Sequence, residues 1–178
     1  MRKVILYIAT SLDGKIAKPD GDTSWLHNLP NPEKTDYGYS EFYKSIDTTL
    51  MGRKTYEVIA GFDLEHPLYL DKTNYVFSSK SIKVEDHYQV INSDPAAFVK
   101  QLKNQNGIDI WLVGGGELNA LLFKAGLIDE FMVFVMPIVL GSGIPLFGNS
   151  GDLMKELYVV STKVYQSGAI LMRYKAGS

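Results

Sequence analysis

Residues 110–122 read Ile-Trp-Leu-Val-Gly-Gly-Gly-Glu-Leu-Asn-Ala-Leu-Leu, and this stretch restricts the possible folds more than any other. Four apolar residues without alternation predict a strand buried on both faces, and the apolar spacing after the glycines predicts a helix. Gly114, Gly115 and Gly116 stand at the switch. Lacking Cβ, they let a ligand come against the backbone while the unpaired N–H groups of the helix start point at it. Such an end favours an anion, most often the diphosphate of a nucleotide or dinucleotide. The competing reading is a tight turn with close strand–helix packing and no ligand.

The rest of the chain repeats the alternation of strand and helix. Residues 4–9 form a continuous apolar run and predict a first central strand, which ends in Thr-Ser-Leu-Asp-Gly. Residues 15–22, with Pro19, Asp20, Gly21 and Asp22, have the composition of a mobile surface loop. Residues 37–46 predict a helix with Tyr39, Phe42, Tyr43 and Ile46 on one face. Asp36 falls at its N-cap position and reads either as a capping carboxylate or as a catalytic one.

A second strand at 48–51 breaks into Gly52-Arg53-Lys54-Thr55 and a helix through 59. Two cations at a helix start oppose the macrodipole, which an anion between them explains better than a solvated surface pair does. A connecting loop follows at 61–67, then strands at 74–77 and 88–91, the first closed by Ser78, Ser79 and Lys80. A helix runs from Ser93-Asp94-Pro95 to about 103, with proline near N1. After the glycine helix come a strand at 130–136, the loop Leu140-Gly141-Ser142-Gly143 with Pro145, and a hairpin of 157–165 and 169–174. Eight strands and about four helices in this order predict an α/β fold on a mainly parallel sheet, with antiparallel pairing in the terminal hairpin.

Composition narrows the function classes. The 178 residues, 46% hydrophobic and 21% charged, fit one domain over 1–178. A formal net charge of −2 without a run of Lys or Arg argues against nucleic acid as a main partner. The lack of cysteine removes disulfides, thiolate metal sites and cysteine nucleophiles together. The apolar runs at 4–9 and 131–140 are too short to span a bilayer, so a soluble, cytoplasmic protein is expected. His27, His66 and His87 lack metal-ligand spacing, and no metal is expected. The three glycines do not make the spaced dinucleotide fingerprint, and residues 52–55 lack the upstream glycine of a phosphate loop.

What remains is a set of strand ends at 9–14, 51–55, 77–80 and 113–117 that carry glycines, hydroxyls or cations. In an open parallel sheet, ligands bind outside the carboxyl ends of the strands. Four such ends suit a long phosphate-bearing ligand. Arg53, Lys54, Ser78, Ser79 and Lys80 would suit the additional 2′-phosphate of NADP.

The motifs Tyr7-Ile8-Ala9, Ser11-Leu12-Asp13-Gly14-Lys15-Ile16-Ala17, Met51-Gly52-Arg53-Lys54-Thr55-Tyr56-Glu57 and Gly114-Gly115-Gly116-Glu117-Leu118 together resemble the dihydrofolate reductase-like superfamily. Leu127-Ile128-Asp129-Glu130, Pro137, Leu140-Gly141-Ser142-Gly143 and Leu146-Phe147 are more similar still to the reductase domain of the bacterial riboflavin-biosynthesis deaminase/reductase. The resemblance spans nearly the whole chain. It implies a three-layer α/β/α fold on a mixed eight-stranded sheet, and NADPH as hydride donor.

Carried over by position, the resemblance implies that Ala9 holds the nicotinamide carboxamide through its backbone and that Ile16 packs on the nicotinamide side. By the same resemblance Gly52, Arg53, Lys54 and Thr55 would hold phosphates, Ser78 and Ser79 the 2′-phosphate region, and Gly114, Gly115, Gly116 and Glu117 the diphosphate. Residues 15–25 become a mobile lid, and Asp36 takes the place of the one carboxylate that grips a pterin. A buried carboxylate there would have a raised pKa and could relay a proton. The threonine partner and folate-tail arginine of dihydrofolate reductases have no counterparts here, nor do the arginine and Asp-Pro-x-Leu pattern of the riboflavin-type relatives. The resulting expectation is an NADPH-dependent reductase of a heterocyclic small molecule, either the riboflavin-pathway type or dihydrofolate. The alternative is a catalytically silent NADP-binding sensor or scaffold. Relatives imply a homodimer, with the apolar C-terminal hairpin as its contact.

Overall fold

In the computed structural model, which describes residues 1–62, 65–148 and 151–177, the apolar run near the N-terminus is strand β1 (Val4–Ser11). The remaining elements in chain order are β2 (Lys15–Ala17), α1 (Tyr39–Lys44), β3 (Ile46–Gly52), α2 (Arg53–Ala60), β4 (Thr73–Phe77), β5 (Tyr88–Ile91), α3 (Pro95–Leu102) and β6 (Asp109–Gly114). They are followed by α4 (Gly116–Lys124), β7 (Glu130–Met136), β8 (Ile144–Pro145), β9 (Leu157–Val164) and β10 (Ile170–Ala176). A 3-10 turn at Ser24–Leu26 buries Trp25.

Eight strands make one mixed sheet in the order β5-β4-β3-β6-β1-β7-β10-β9, parallel through β7 and antiparallel at β10. Burial on both faces explains the unbroken apolar run of β1. Val4 and Leu6 pack with Leu118, Leu122 and Phe123 of α4 and Val99 of α3, whereas Ile5 packs with Phe42 of α1 and Trp111 of β6. Tyr56 of α2 packs against Met51, Val76 and Tyr88 on the α1 side of the sheet. Helices α1 and α2 therefore cover one face, and α3 and α4 the other. The three-layer arrangement expected from the sequence is present.

Three expectations need correction. The helix expected over 37–46 begins only at Tyr39, because Tyr37 and Gly38 have positive φ, and Ile46 already belongs to β3. The strand count is ten rather than eight among the described residues, since β2 and β8 pair in a small antiparallel sheet of their own. The expected lid over residues 15–25 is also held at both ends: Lys15–Ala17 is in β2, and Trp25 is buried with Phe134 and Tyr165. Only part of the connecting loop expected at 61–67 can be described, as residues 63 and 64 lie outside the described set.

Candidate cofactor cleft

Strands β3 and β6 are parallel neighbours whose carboxyl ends finish in Gly52 and Gly114. From Gly52 the chain enters α2 on one face and moves to β4. From Gly114 it enters α4 on the other face and moves across β1 to β7. Connections diverging in this way open a crevice at the strand ends, the place where open α/β sheets bind ligands.

The absence of side chains at Gly52 and Gly115 lets the two sides of this crevice come close. A Cβ on Gly115 would stand 3.0 Å from Thr55 Oγ1, and one on Gly52 would stand 3.9 Å from Gly114 O. The two helix starts therefore meet with no side chain between them. The Gly114–Gly115 peptide is cis. Neither α2 nor α4 has a side-chain N-cap, and α2 has no acidic residue in its first turn. Their first N–H groups and macrodipoles thus face the crevice without an internal acceptor from a cap.

A strap formed by residues 145–148 packs against the start of α4. A Cβ on Gly116 would overlap the carbonyl oxygen of Pro145, and Gly148 N–H donates to Gly116 O at 2.8 Å. The strap is tied to the β1 exit through Leu146 N–H to Gly14 O at 2.9 Å. Beside it, the Asp13 carboxylate accepts from the N–H groups of Leu140 and Gly141, each at 2.9 Å. The Leu140 N–H, then the Ser11 hydroxyl, holds the Asp13 carboxyl below the usual carboxylate range.

The expected cofactor residues fare differently. Gly52, Thr55, Gly114 and Gly115 converge at the crevice, whereas Gly116 is buried against the strap. Arg53 is paired with Glu57 one turn on, so much of its charge is answered within α2. Lys54 is exposed, with no ion pair among the described residues. Ser78 is buried, and its hydroxyl donates to Lys80 O at 2.8 Å and accepts from Lys80 N–H at 3.1 Å. That hydroxyl closes its own turn, leaving Ser79 as the exposed hydroxyl. Glu117 is exposed and lies where its carboxylate suits the α4 dipole. Ala9 is half-buried opposite Phe134, and Ile16 lies in β2.

Asp36 does not have the environment expected of a proton relay. It is exposed, and its two oxygens accept from Gly38 N–H at 2.9 Å and Ser40 N–H at 3.0 Å. Hydrogen bonding from the Ser40 side chain, then from the backbone N–H groups of Ser40 and Gly38, lowers its pKa to about 2. The raised value expected from burial is reversed, and the contacts are those of a carboxylate capping α1.

Two features escaped the sequence reading. An aromatic wall lines the α1 side: Tyr7 stacks on Phe42 at 4.2 Å and meets Phe134 edge-on at 5.0 Å, and Tyr37 meets Tyr165 at 4.9 Å. Trp111 Nε1–H fixes the backbone here by donating to Tyr7 O at 3.0 Å. Burial, then the charges of neighbouring groups, pushes the Tyr7 hydroxyl pKa up. The second feature is a pair of buried polar atoms without hydrogen-bond partners among the described residues, Trp25 Nε1 and Asn119 Oδ1. The signal for Asn119 was present: one amide within the apolar run of α4.

A mixed eight-stranded sheet, helices on both faces and a glycine-lined crevice at the strand ends define the dihydrofolate reductase-like class of α/β proteins. Dihydrofolate reductase from Enterococcus faecalis, solved with NADP(H), superposes with a TM-score of 0.69 at 17% identity over 99% of this chain and 97% of that one. A protein from Shewanella sp. PV-4, named for riboflavin biosynthesis, superposes with a TM-score of 0.87 at 29% identity and 99% coverage of both chains. YwjB of Bacillus subtilis (strain 168) is 47% identical over 147 residues, 82% of this chain and 83% of its own. The RibD C-terminal domain family matches residues 2–171, and the chain belongs to it.

Proposed function

We propose that the chain is an NADPH-dependent reductase that passes hydride to a C=N or C=O carbon of a heterocyclic small molecule. The riboflavin-pathway substrate 5-amino-6-(5-phosphoribosylamino)uracil is the first candidate and dihydrofolate the second. The observation that carries the reading is the meeting of two uncapped helix starts at the crevice, with a Cβ on Gly115 only 3.0 Å from Thr55 Oγ1. Membership in the RibD C-terminal domain family supports the same reading. So does the NADP(H) bound to the Enterococcus dihydrofolate reductase.

Bound NADPH supplies the hydride, and the protein's contribution is to hold donor and acceptor together and keep water out. Gly52, Thr55, Gly114, Gly115, Gly116 and the backbone of Glu117 hold the diphosphate, assisted by Arg53 and Lys54. Ser79, with the turn closed by Ser78, receives the 2′-phosphate region. Ala9 and Ile16 hold the nicotinamide end, and the wall of Tyr7, Tyr37 and Phe134 receives the planar substrate. Asp36 acts through position: by capping α1 it fixes Phe42, on which Tyr7 stacks.

One observation favours the silent NADP-binding alternative, namely that the Asp36 carboxylate is already engaged and ionised. Titration with NADPH and NADH, followed by assay of both candidate substrates, separates the readings. The enzyme reading predicts turnover, reduced in Asp36→Asn at unchanged NADPH affinity. The silent reading predicts NADPH binding without turnover of either.

The protein is further proposed to be a cytoplasmic homodimer. Tyr158, Val159, Val160 and Val164 are exposed along β9 at the sheet edge, where unpaired strand groups and apolar side chains suit a second copy.

A further inference from the structure

Asn119 lies in the first half of α4 and is wholly buried. Its Nδ2 donates to Leu146 O at 2.9 Å. This contact fixes the amide's orientation, because turning it over would set Oδ1 against another carbonyl oxygen. The correctly oriented Oδ1 has no donor among the described residues. It stands 3.5 Å from the place a Gly114 Cβ would occupy, and Ile8 Cδ1 stands 3.6 Å from the same place. The orphan oxygen, Gly114 and Ile8 thus surround one point at the carboxyl ends of β6 and β1, on the α4 side of the sheet.

Leaving a buried acceptor unpaired is costly; the bond to Leu146 O accounts for the Nδ2 half of the amide and leaves the Oδ1 half unexplained. We propose that Asn119 is a ligand-positioning residue whose Oδ1 accepts a hydrogen bond from the nicotinamide-riboside half of the dinucleotide. The inference rests on the cofactor reading above.

The chemistry selects that half. An acceptor oxygen has nothing to offer an ionised phosphate, which only accepts. The donors on the dinucleotide are the adenine amino group, the ribose hydroxyls and the carboxamide N–H2. The adenosine end belongs with Ser79 beyond β4, two strands from β6 in the sheet, or roughly 10 Å at ordinary strand spacing. Asn119 faces the other direction, toward Ile8 of β1, adjacent to Ala9. Two donors remain there, the carboxamide N–H2 and the hydroxyls of the nicotinamide ribose.

The test compares wild type with Asn119→Leu and with the less bulky Asn119→Ala, using three probes: NADPH, 2′,5′-ADP, and the NADP analogue with acetyl in place of carboxamide. Both variants also lose the Nδ2 bond to Leu146 O, but loss of the one bond to the ligand predicts roughly tenfold weaker NADPH binding at unchanged 2′,5′-ADP affinity. Retained 2′,5′-ADP binding also reports that the variant is folded. If the acetyl analogue binds wild type and variants alike, the donor is the carboxamide; if the variants weaken it as they weaken NADPH, the donor is a ribose hydroxyl. Equal weakening of NADPH and 2′,5′-ADP, or no weakening of NADPH in either variant, overturns the proposal. Failure of wild type to bind NADPH and 2′,5′-ADP overturns the cofactor reading itself, a result distinct from these.

Discussion

Replacing Gly116 with alanine forces the strap of residues 145–148 away from α4. The new methyl group overlaps Pro145 O and lies 3.2 Å from Gly148 N. Restoring an ordinary carbon–oxygen separation requires the strap to withdraw by roughly 1 Å. Three hydrogen bonds depend on its present position: Gly148 N–H to Gly116 O at 2.8 Å, Leu146 N–H to Gly14 O at 2.9 Å, and Asn119 Nδ2 to Leu146 O at 2.9 Å. At about 1 kcal/mol net for each bond, the substitution costs about 3 kcal/mol. For a chain of this size that lowers the melting temperature by about 6–12 °C.

Gly115→Ala provides the contrast. Its φ of −77° and ψ of −177° suit alanine, and the one close contact is a threonine hydroxyl at 3.0 Å that can rotate away. It is expected to melt within about 3 °C of wild type while filling the crevice and weakening NADPH at least tenfold, an effect of roughly 1.4 kcal/mol. Circular dichroism melts, checked by urea midpoints, measure the first effect and NADPH titration the second. A Gly116→Ala protein that melts within about 2 °C of wild type would refute the argument that the strap is tied to α4.

Two further outcomes are expected. Asp13 and Asp36 both have folded-state pKa values below the unfolded value of 3.8, Asp36 near 2. Their contribution to stability is therefore complete above that value and is lost as pH falls through the depressed one. The dependence of melting temperature on pH between pH 6 and pH 2 should steepen toward the acid end, and an Asp13→Asn, Asp36→Asn double variant should flatten that part of the profile; an unchanged profile contradicts the roles given to the two carboxylates. Val159→Lys, at an exposed position on β9, should convert the proposed dimer to a monomer in sedimentation velocity, and a variant that sediments like a dimeric wild type excludes this edge as the interface.

The central sheet was legible because most of its strands carry apolar runs of four or more residues, a signal local to the sequence. Residues 88–91 and 130–136 form β5 and β7 as expected. The glycine switch was legible for the same reason, as its chemistry is local. The small sheet was not. With three residues in β2 and two in β8, neither strand shows a period. Their pairing is set by long-range contacts: the Asp13 carboxylate on residues 140 and 141, and the close approach of Gly143 to Ala17 O. Ser78 was overvalued because a hydroxyl at a strand end reads alike whether it faces a ligand or closes its own turn. Asn119 was passed over because the apolar pattern around it was enough to predict the helix.

Titration of the protein with NADPH, and separately with NADH, while following the fluorescence of Trp25 and Trp111, tests the cofactor cleft most directly. Saturable NADPH binding with a clear preference over NADH is expected, weakened at least tenfold in Gly115→Ala at a melting temperature within about 3 °C of wild type. Absence of binding by both nucleotides in folded wild-type protein contradicts the cofactor reading.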